Sequence, residues 1–268
     1  MSAPLTVAAI QMVSTPEPEQ NFAAAARLVA EAAQQGAQLV LLTEYWPLLG
    51  MHEKVKLAHA EEDDGGKIQD FMATLARQHQ IWLIGGTLPL ASDEAGKVCN
   101  TTLVYDPSGQ RVARYDKIHL FSFARGEENY DESRTIVYGD AVCSFEAPCG
   151  RVGLSVCYDL RFPELYRAMG ECALIVVPAA FTYTTGQAHW EILLRARAIE
   201  NQCYVLASAQ GGTHVNGRRT WGHSMLIDPW GEIVSVLPEG EGLVIGTIDP
   251  HRLQYVRESL PALKHRKL

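Results

Sequence analysis

Hydrophobic and polar residues form blocks along the chain, and the length and spacing of these blocks separate strands from helices. Short, almost wholly apolar runs are typical of buried strands, whereas longer Ala-rich segments with polar residues on one side predict amphipathic helices. The N-terminal part contains predicted strands at 5–11, 38–44 and 81–87 and predicted helices at 18–37 and 67–80. This alternation predicts parallel strands joined by helical crossovers.

Two later segments instead carry a turn signal between two strand-like runs. Segment 101–117 contains DPSG and segment 223–239 contains DPWG. Because Pro presets the backbone of a tight turn and Gly accepts a positive φ, each segment predicts a β-hairpin. Between the hairpins, further apolar runs alternate with helices in the order strand 151–157, helix 162–170, strand 172–178, helix 187–201 and strand 203–210.

These patterns predict an α/β fold in which two mixed sheets form a layered sandwich with the helices outside. A single doubly wound sheet is the alternative, which the two hairpins disfavour. No change in composition marks a linker, so we expect one domain over residues 1–268.

Composition and charge indicate which binding partners, such as nucleic acid or membranes, are disfavoured for this protein. The 268 residues are 47% hydrophobic and 20% charged, with a formal net charge of −8, which disfavours nucleic acid and anionic membranes. The basic clusters at 217–219 and 265–267 are expected to be solvated surface. The longest apolar run, 173–181, is too short to cross a bilayer, and no charged leader precedes the first apolar stretch. We therefore expect a cytoplasmic protein.

The six cysteines have neither a C-x-x-C pair nor the spacing of a zinc site. The sequence also lacks the dinucleotide, P-loop and H-E-x-x-H patterns, so we expect no metal and no organic cofactor. Most of the cysteines should be buried and inert. His119 and His189 are the best-placed histidines, and we expect structural roles for both.

Three residues at the ends of strand-like segments are candidates for chemistry. Cys157 follows the apolar run VGLSV, Glu44 ends QLVLLTE, and Lys117 closes the first hairpin. Ligands of open α/β sheets bind at the carboxyl edge of the strands, where a thiol can act as nucleophile, a carboxylate as base and an ammonium as oxyanion partner. The alternatives are an inert buried thiol, a capping or surface carboxylate, and a lysine whose stem covers apolar surface.

Together and in this order, these residues and their surroundings resemble the carbon–nitrogen hydrolase (nitrilase) superfamily. The most specific segments are KIHLF, CYDLRFPELYR, HWEILLRARAIENQCYVLASAQGG and GHSMLIDPWGEI. The resemblance covers nearly the whole chain and is strongest to the branch that holds deaminated glutathione amidases and ω-amidases. It implies a four-layer α-β-β-α sandwich that pairs into a homodimer, with the C-terminal tail at about 250–268 lying on the partner.

The resemblance also implies roles for individual residues. Cys157 matches the nucleophile, Glu44 the general base and Lys117 the cation that stabilises the oxyanion. The backbone N–H of Tyr158 matches a second oxyanion donor.

A second glutamate of the family, which positions the lysine, matches Glu132, with Glu127 and Glu128 as alternatives. The segment after the strand at 172–178 is expected to line the substrate pocket, through Phe181, Thr182 and Tyr183.

The implied reaction is hydrolysis of the amide of a small, carboxylate-bearing substrate through a thioester, with deaminated glutathione favoured. An ω-amidase acting on α-ketoglutaramate, an N-carbamoyl amidohydrolase and a non-catalytic interaction module are the alternatives. Two sets of charged residues are expected to brace the structure: Arg161 and Glu164, paired with each other or with Asp159, and the helical pair Arg197–Glu200.

Overall fold

The structure, a computed structural model, describes residues 4–126 and 128–267. In chain order the elements are β1 (Leu5–Gln11), α1 (Pro18–Gln34), β2 (Leu39–Leu41), α2 (Lys67–His79), β3 (Trp82–Ile84), β4 (Leu88–Ala91), β5 (Val98–Tyr105), β6 (Arg111–Asp116), β7 (Ser122–Arg125), β8 (Glu128–Asp131), β9 (Ser144–Ala147), β10 (Gly150–Leu154), α3 (Pro163–Ala168), β11 (Leu174–Ala179), α4 (Tyr183–Asn201), β12 (Tyr204–Ala209), β13 (Ser224–Ile227), β14 (Ile233–Leu237), β15 (Gly242–Ile248) and α5 (Pro250–Ser259). Short 3₁₀-helices cover Glu53–His59, Glu132–Arg134, Cys157–Arg161 and Ala262–His265.

Two mixed sheets form the centre of the fold. The first has the order β15-β1-β2-β3-β5-β4, with β6 also paired to β5, and its strands β1, β2 and β3 are parallel. The second has the order β14-β13-β12-β11-β10-β9, and its strands β10, β11 and β12 are parallel. Both predicted hairpins are present, since β5 pairs antiparallel with β6 and β13 with β14.

Alternation along β1 explains the layers. Val7 and Ala9 face a core that also contains residues of the second sheet, whereas Ala8 and Ile10 face a core shared with α1 and α2. The helix α4 covers the second sheet from the other side, with Trp190 in the first of these cores. The expected α-β-β-α sandwich with two mixed sheets is therefore confirmed.

Some elements differ from the sequence-based expectation. The predicted strands 38–44 and 151–157 end earlier, at Leu41 and Leu154, so their last residues lie in turns beyond the sheet. The strand β15, which pairs with β1 along its whole length, was not predicted. The strands β4 and β9 and the β7–β8 hairpin were also not predicted.

The C-terminal segment packs partly on its own chain. On α5, Leu253 and Val256 are buried, and Arg257 donates to the carbonyl oxygens of Gln202 and Cys172. Tyr255 and Leu260 are exposed. One face of α5 thus packs on its own chain, and the other face is exposed. No helix within 4–126 or 128–267 has the length and apolar character needed to cross a bilayer.

Candidate active site

The carboxyl ends of strands from both sheets meet at one place in the sandwich. Glu44 lies three residues beyond β2, Cys157 three residues beyond β10, and Ala180 directly follows β11. A hydrogen bond of 2.9 Å from the Thr43 hydroxyl to the carbonyl oxygen of Ala179 joins the two sheets here. The fold therefore brings turns that are far apart in sequence to one edge, as parallel strands predict.

Lys117 lies at the centre of this edge and is fully buried. Its Nζ is 2.9 Å from Oε1 of Glu44 and 3.0 and 2.8 Å from the two carboxylate oxygens of Glu132. Burial disfavours the ammonium, but the charges of Glu132 and Glu44 outweigh it and hold the pKa of Lys117 well above its ordinary value. Lys117 is therefore a permanent cation between two carboxylates.

Glu44 is also buried and accepts three hydrogen bonds. Oε1 accepts from Lys117 and, at 3.0 Å, from the side-chain amide of Asn100, while Oε2 accepts from the backbone N–H of Ala180 at 2.7 Å. Asn100 was not predicted, because nothing near it in sequence distinguishes its amide from that of any other strand residue. These donors fix the orientation of the carboxylate.

Glu132 is held from three directions. Besides Lys117, the N–H of Phe121 donates to Oε2 at 2.7 Å and the hydroxyl of Tyr45 donates to Oε1 at 2.8 Å. Burial opposes ionisation, but the charge and hydrogen bonds of Lys117 outweigh it, so the pKa of Glu132 lies below its ordinary value. Of the alternatives, Glu128 accepts from Thr184 instead, at 2.7 Å, and Glu127 lies outside the described residues.

Cys157 begins a 3₁₀-helix with a backbone φ of +49°, in the left-handed region that non-glycine residues rarely adopt. Burial raises the pKa of its thiol well above the ordinary value, the charge of Glu44 raises it further, and the charge of Lys117 acts against both. The backbone N–H of Ala180, which donates to Glu44, also acts to lower the pKa of the thiol. The resting thiol is therefore protonated and requires a base.

Asp159 holds the turn that carries Cys157. Its carboxylate accepts from the N–H of Val156 at 2.8 Å, from the hydroxyl of Tyr115 at 2.7 Å and from the N–H of His119 at 3.0 Å. The His119 ring contacts the same carboxylate at 2.7 Å, which is a structural role.

The expected pairing of Arg161 with Glu164 or Asp159 is wrong. The guanidinium of Arg161 instead lies 3.2 Å from Nδ1 of His189 and over the rings of Tyr158 and Phe181. The carboxylate of Asp159 already accepts from Val156, from Tyr115 and from both the N–H and the ring of His119, so it does not require Arg161 as a partner. The expected Arg197–Glu200 pair is present at 2.7 Å.

A small cavity opens beside Cys157, Glu44 and Glu132. Of the residues expected to line it, Tyr158, Phe181 and Thr182 do so.

Tyr183 is not part of this lining. It begins α4, and the residues that face the cavity are Thr182 and, one turn later, Thr185, as the helical period requires. The ring of Tyr183 instead packs against Trp221, with the Arg219 guanidinium 3.7 Å from its centroid.

Arg218 lines the cavity, so the expectation that the basic cluster at 217–219 is solvated surface is wrong for this residue. Arg219 does lie at the surface, paired with Glu239, but Arg218 turns inward to the cavity. Two adjacent arginines thus have opposite environments. Within residues 4–126 and 128–267, no group of three or more His, Cys, Asp or Glu side chains could hold a metal ion.

Two carboxylates and a protonated thiol line one cavity, and a buried ammonium binds both carboxylates. Such a set of groups can transfer a proton, form a covalent bond and stabilise an oxyanion. The family model for carbon-nitrogen hydrolases matches residues 6–258. The chain belongs to this family, and the expectation of a hydrolase acting on carbon–nitrogen bonds is confirmed.

Individual relatives agree with this assignment. The chain is 44% identical to a deaminated glutathione amidase of Synechocystis sp. over 98% of both chains. It is 41% identical to the human deaminated glutathione amidase over 97% of this chain and 82% of the human one.

Solved structures give the same result for the fold. The NitFhit protein of C. elegans matches 99% of this chain and 66% of its own, with a TM-score of 0.90 and 38% identity. Nit3 of Saccharomyces cerevisiae, described as a member of branch 10 of the nitrilase superfamily, covers 99% of this chain and 97% of its own at a TM-score of 0.88 and 28% identity.

Proposed function

We propose that this protein is a cysteine-dependent amidase that hydrolyses deaminated glutathione to 2-oxoglutarate and Cys-Gly through a thioester on Cys157. The observation that carries the proposal is the contact of Lys117 with both Glu44 and Glu132 beside the Cys157 thiol. The substrate is taken from the relatives, which carry the name deaminated glutathione amidase at 40–44% identity over nearly the whole of this chain.

The first step is removal of the thiol proton by Glu44. Because burial keeps Cys157 protonated, attack on the amide carbonyl requires a base at the moment of reaction. Oε2 of Glu44 accepts only from Ala180 among the described residues, so a carboxylate lone pair is free to accept the proton.

The carbonyl oxygen becomes negative as the sulfur–carbon bond forms. Lys117 supplies one donor: its 3.0 Å contact with Oε1 of Glu132 can be released because Tyr45 also donates to that oxygen. The N–H of Tyr158 supplies the second, since no acceptor in the described parts of the chain takes it. Each such donor contributes about 3 kcal/mol to stabilising the transition state.

Collapse of this intermediate breaks the carbon–nitrogen bond. Protonated Glu44 gives its proton to the leaving amine, which departs as Cys-Gly, and the acyl group stays on Cys157 as a thioester. Glu44 then takes a proton from water, the hydroxide attacks the thioester, and the thiol and free acid are restored.

Replacing Cys157 tests this chemistry directly. Cys157→Ala and Cys157→Ser are expected to abolish release of Cys-Gly from deaminated glutathione, while circular dichroism and thermal unfolding stay close to those of the wild type. Near-normal turnover by Cys157→Ala would contradict the proposal. Ammonia released faster from α-ketoglutaramate, or CO₂ from an N-carbamoyl substrate, would assign the same site to another substrate.

Alkylation separates the enzyme from a non-catalytic module. Iodoacetamide is expected to modify Cys157 faster than the other five cysteines, because Glu44 can accept its proton during attack. The rate should fall in Glu44→Gln and stay unchanged in Glu62→Gln, a matched change at the surface. Equal inertness of all six cysteines would favour the module.

We also propose a homodimer in a reducing cytoplasm. Ile192 and Ile199, seven residues apart on one side of α4, are 69% and 50% exposed, and Ile199 lies against Gly231 next to the exposed Trp230. An apolar surface of this kind is typical of an interface. Ile192→Glu with Ile199→Glu should yield monomers in sedimentation velocity, whereas Val142→Glu should not.

All six cysteines are free, which suits a protein of a reducing compartment. Cell fractionation tests the proposed location in the cytoplasm.

A further inference from the structure

Arg218 projects into the catalytic cavity with much of its hydrogen-bonding capacity unused. It lines the same cavity as Cys157. Its Nη2 donates to the carbonyl oxygen of Ala180 at 2.8 Å, which is the one hydrogen bond of this guanidinium within the described ranges. Its Nε is buried and has no partner among the described residues. A buried donor without a partner is costly, and a ligand that accepts from it removes that cost.

The loop that carries Arg218 is held in place before any ligand binds. The N–H of Arg218 donates to Oδ1 of Asn216 at 2.9 Å, and its carbonyl oxygen accepts from the N–H of His214 at 2.8 Å. The guanidinium lies 5.1 Å from the ring centroid of Tyr130, which supports one face. The fork of donors is therefore preorganised rather than free to rotate.

The carboxylates near Arg218 are already paired with other cations. Glu44 and Glu132 line the same cavity, but both are bound by Lys117. Glu53, in the neighbouring cavity that Arg218 also lines, pairs with Lys56 at 2.6 Å. No ion pair to Arg218 occurs in the described parts of the chain, so its charge is available to an anion inside the cavity.

We propose that Arg218 binds the carboxylate of the acyl part of the substrate and thereby makes this site specific for monoamides of short dicarboxylic acids. Nε and the neighbouring guanidinium nitrogen form a fork that matches a carboxylate. Ala180 links this anchor to the reacting atoms, because its carbonyl oxygen holds Arg218 and its N–H holds Glu44. This inference deepens the amidase function proposed above and rests on it.

Kinetics with two short amides test the anchor. Glutaramate carries the carboxylate and pentanamide lacks it. Arg218→Met is expected to lower kcat/KM for glutaramate on the order of 10²-fold, mainly through KM, so that its preference over pentanamide is lost. Arg218→Lys should recover part of the loss, since it keeps the charge but not the fork. Arg219→Met, a matched change at the neighbouring surface arginine, should leave both substrates unaffected.

A binding measurement decides the matter if pentanamide is too poor a substrate. Calorimetry of glutarate with Cys157→Ala should give binding that is weakened on the order of 10²-fold in Cys157→Ala/Arg218→Met. Equal losses for both amides, or unchanged glutarate binding, would overturn the role of Arg218. Failure of the wild type to hydrolyse deaminated glutathione, with Arg218-dependent glutarate binding intact, would instead overturn the proposed substrate alone.

Discussion

The hydroxyl of Tyr45 donates a hydrogen bond of 2.8 Å to Oε1 of Glu132, the oxygen that also accepts from Lys117 at 3.0 Å. Tyr45 directly follows Glu44 and has a φ of +57°, and its N–H is held by the Thr87 hydroxyl at 2.9 Å. A single turn after β2 therefore places the proposed base and also orients the carboxylate on the far side of the lysine. Backbone strain at this turn is consistent with a functional constraint.

Removing the Tyr45 hydroxyl should shift the acidic limb of the pH–rate profile. Tyr45→Phe leaves Glu132 with one donor fewer, so the pKa of Glu132 rises from its lowered position and the acidic limb moves to higher pH. We expect kcat to fall roughly tenfold. Tyr138→Phe, at an exposed tyrosine, is the control. An unchanged acidic limb in Tyr45→Phe would contradict this role.

Lys117 should be needed for stability as well as for turnover. Lys117→Met leaves Glu44 and Glu132 as two buried carboxylates without their cation, and the free energy of unfolding should fall by about 3–5 kcal/mol in urea titrations. The double variant Lys117→Met/Glu132→Gln should recover part of this stability but no activity. Lys97→Met, which breaks an exposed pair, should cost less than about 1 kcal/mol. Wild-type stability of Lys117→Met would contradict the assignment.

Glu132 should contribute to acid sensitivity. Its pKa in the folded protein is below the ordinary value of 4.5, so its ionised form stabilises the fold above about pH 4.5, and this stabilisation is lost as the pH falls through the lowered pKa. Glu132→Gln should be less stable than wild type at pH 7, and the difference should narrow below pH 4.5. The other carboxylates titrate in both proteins, so their contributions cancel in the difference in unfolding free energy. A difference that stays constant down to acid unfolding would contradict the prediction.

Asp159 should control the position of the nucleophile without touching substrate. In Asp159→Asn, one side-chain oxygen becomes an NH₂ group facing N–H and O–H donors, which should destabilise the protein by about 2–3 kcal/mol and lower kcat. Asp140→Asn, at an exposed position, is the control. Alkylation of Cys157 at the wild-type rate in Asp159→Asn would show that the turn does not depend on this carboxylate.

The sequence contained the strand ends that converge on the site but not the contacts made there. Glu44, Lys117 and Cys157 each follow a strand-like segment. The arrangement of the strands in a sheet is enough to place the ends of such segments, so these positions could be predicted. The catalytic role of these three residues was inferred from the resemblance to a family, because each residue alone also had an ordinary structural interpretation.

The supporting residues depend on long-range packing that no local pattern encodes. Asn100 and Tyr45 reach the two carboxylates across strands, and Arg218 is distinguished from Arg219 only by the direction in which the loop turns. Tyr183 illustrates a local error, because the register of α4 decides which of its first residues face the cavity.

The most direct test of the account is whether the acyl group of the substrate is attached to Cys157 during turnover. Acid-quenched protein incubated with deaminated glutathione should gain the mass of one 2-oxoglutaryl group, located by peptide mapping on Cys157 and removed by hydroxylamine. Glu44→Gln and Cys157→Ala should show no such adduct. Rapid turnover by wild type together with an adduct on another residue, or undiminished turnover in Cys157→Ala, would contradict the thioester mechanism.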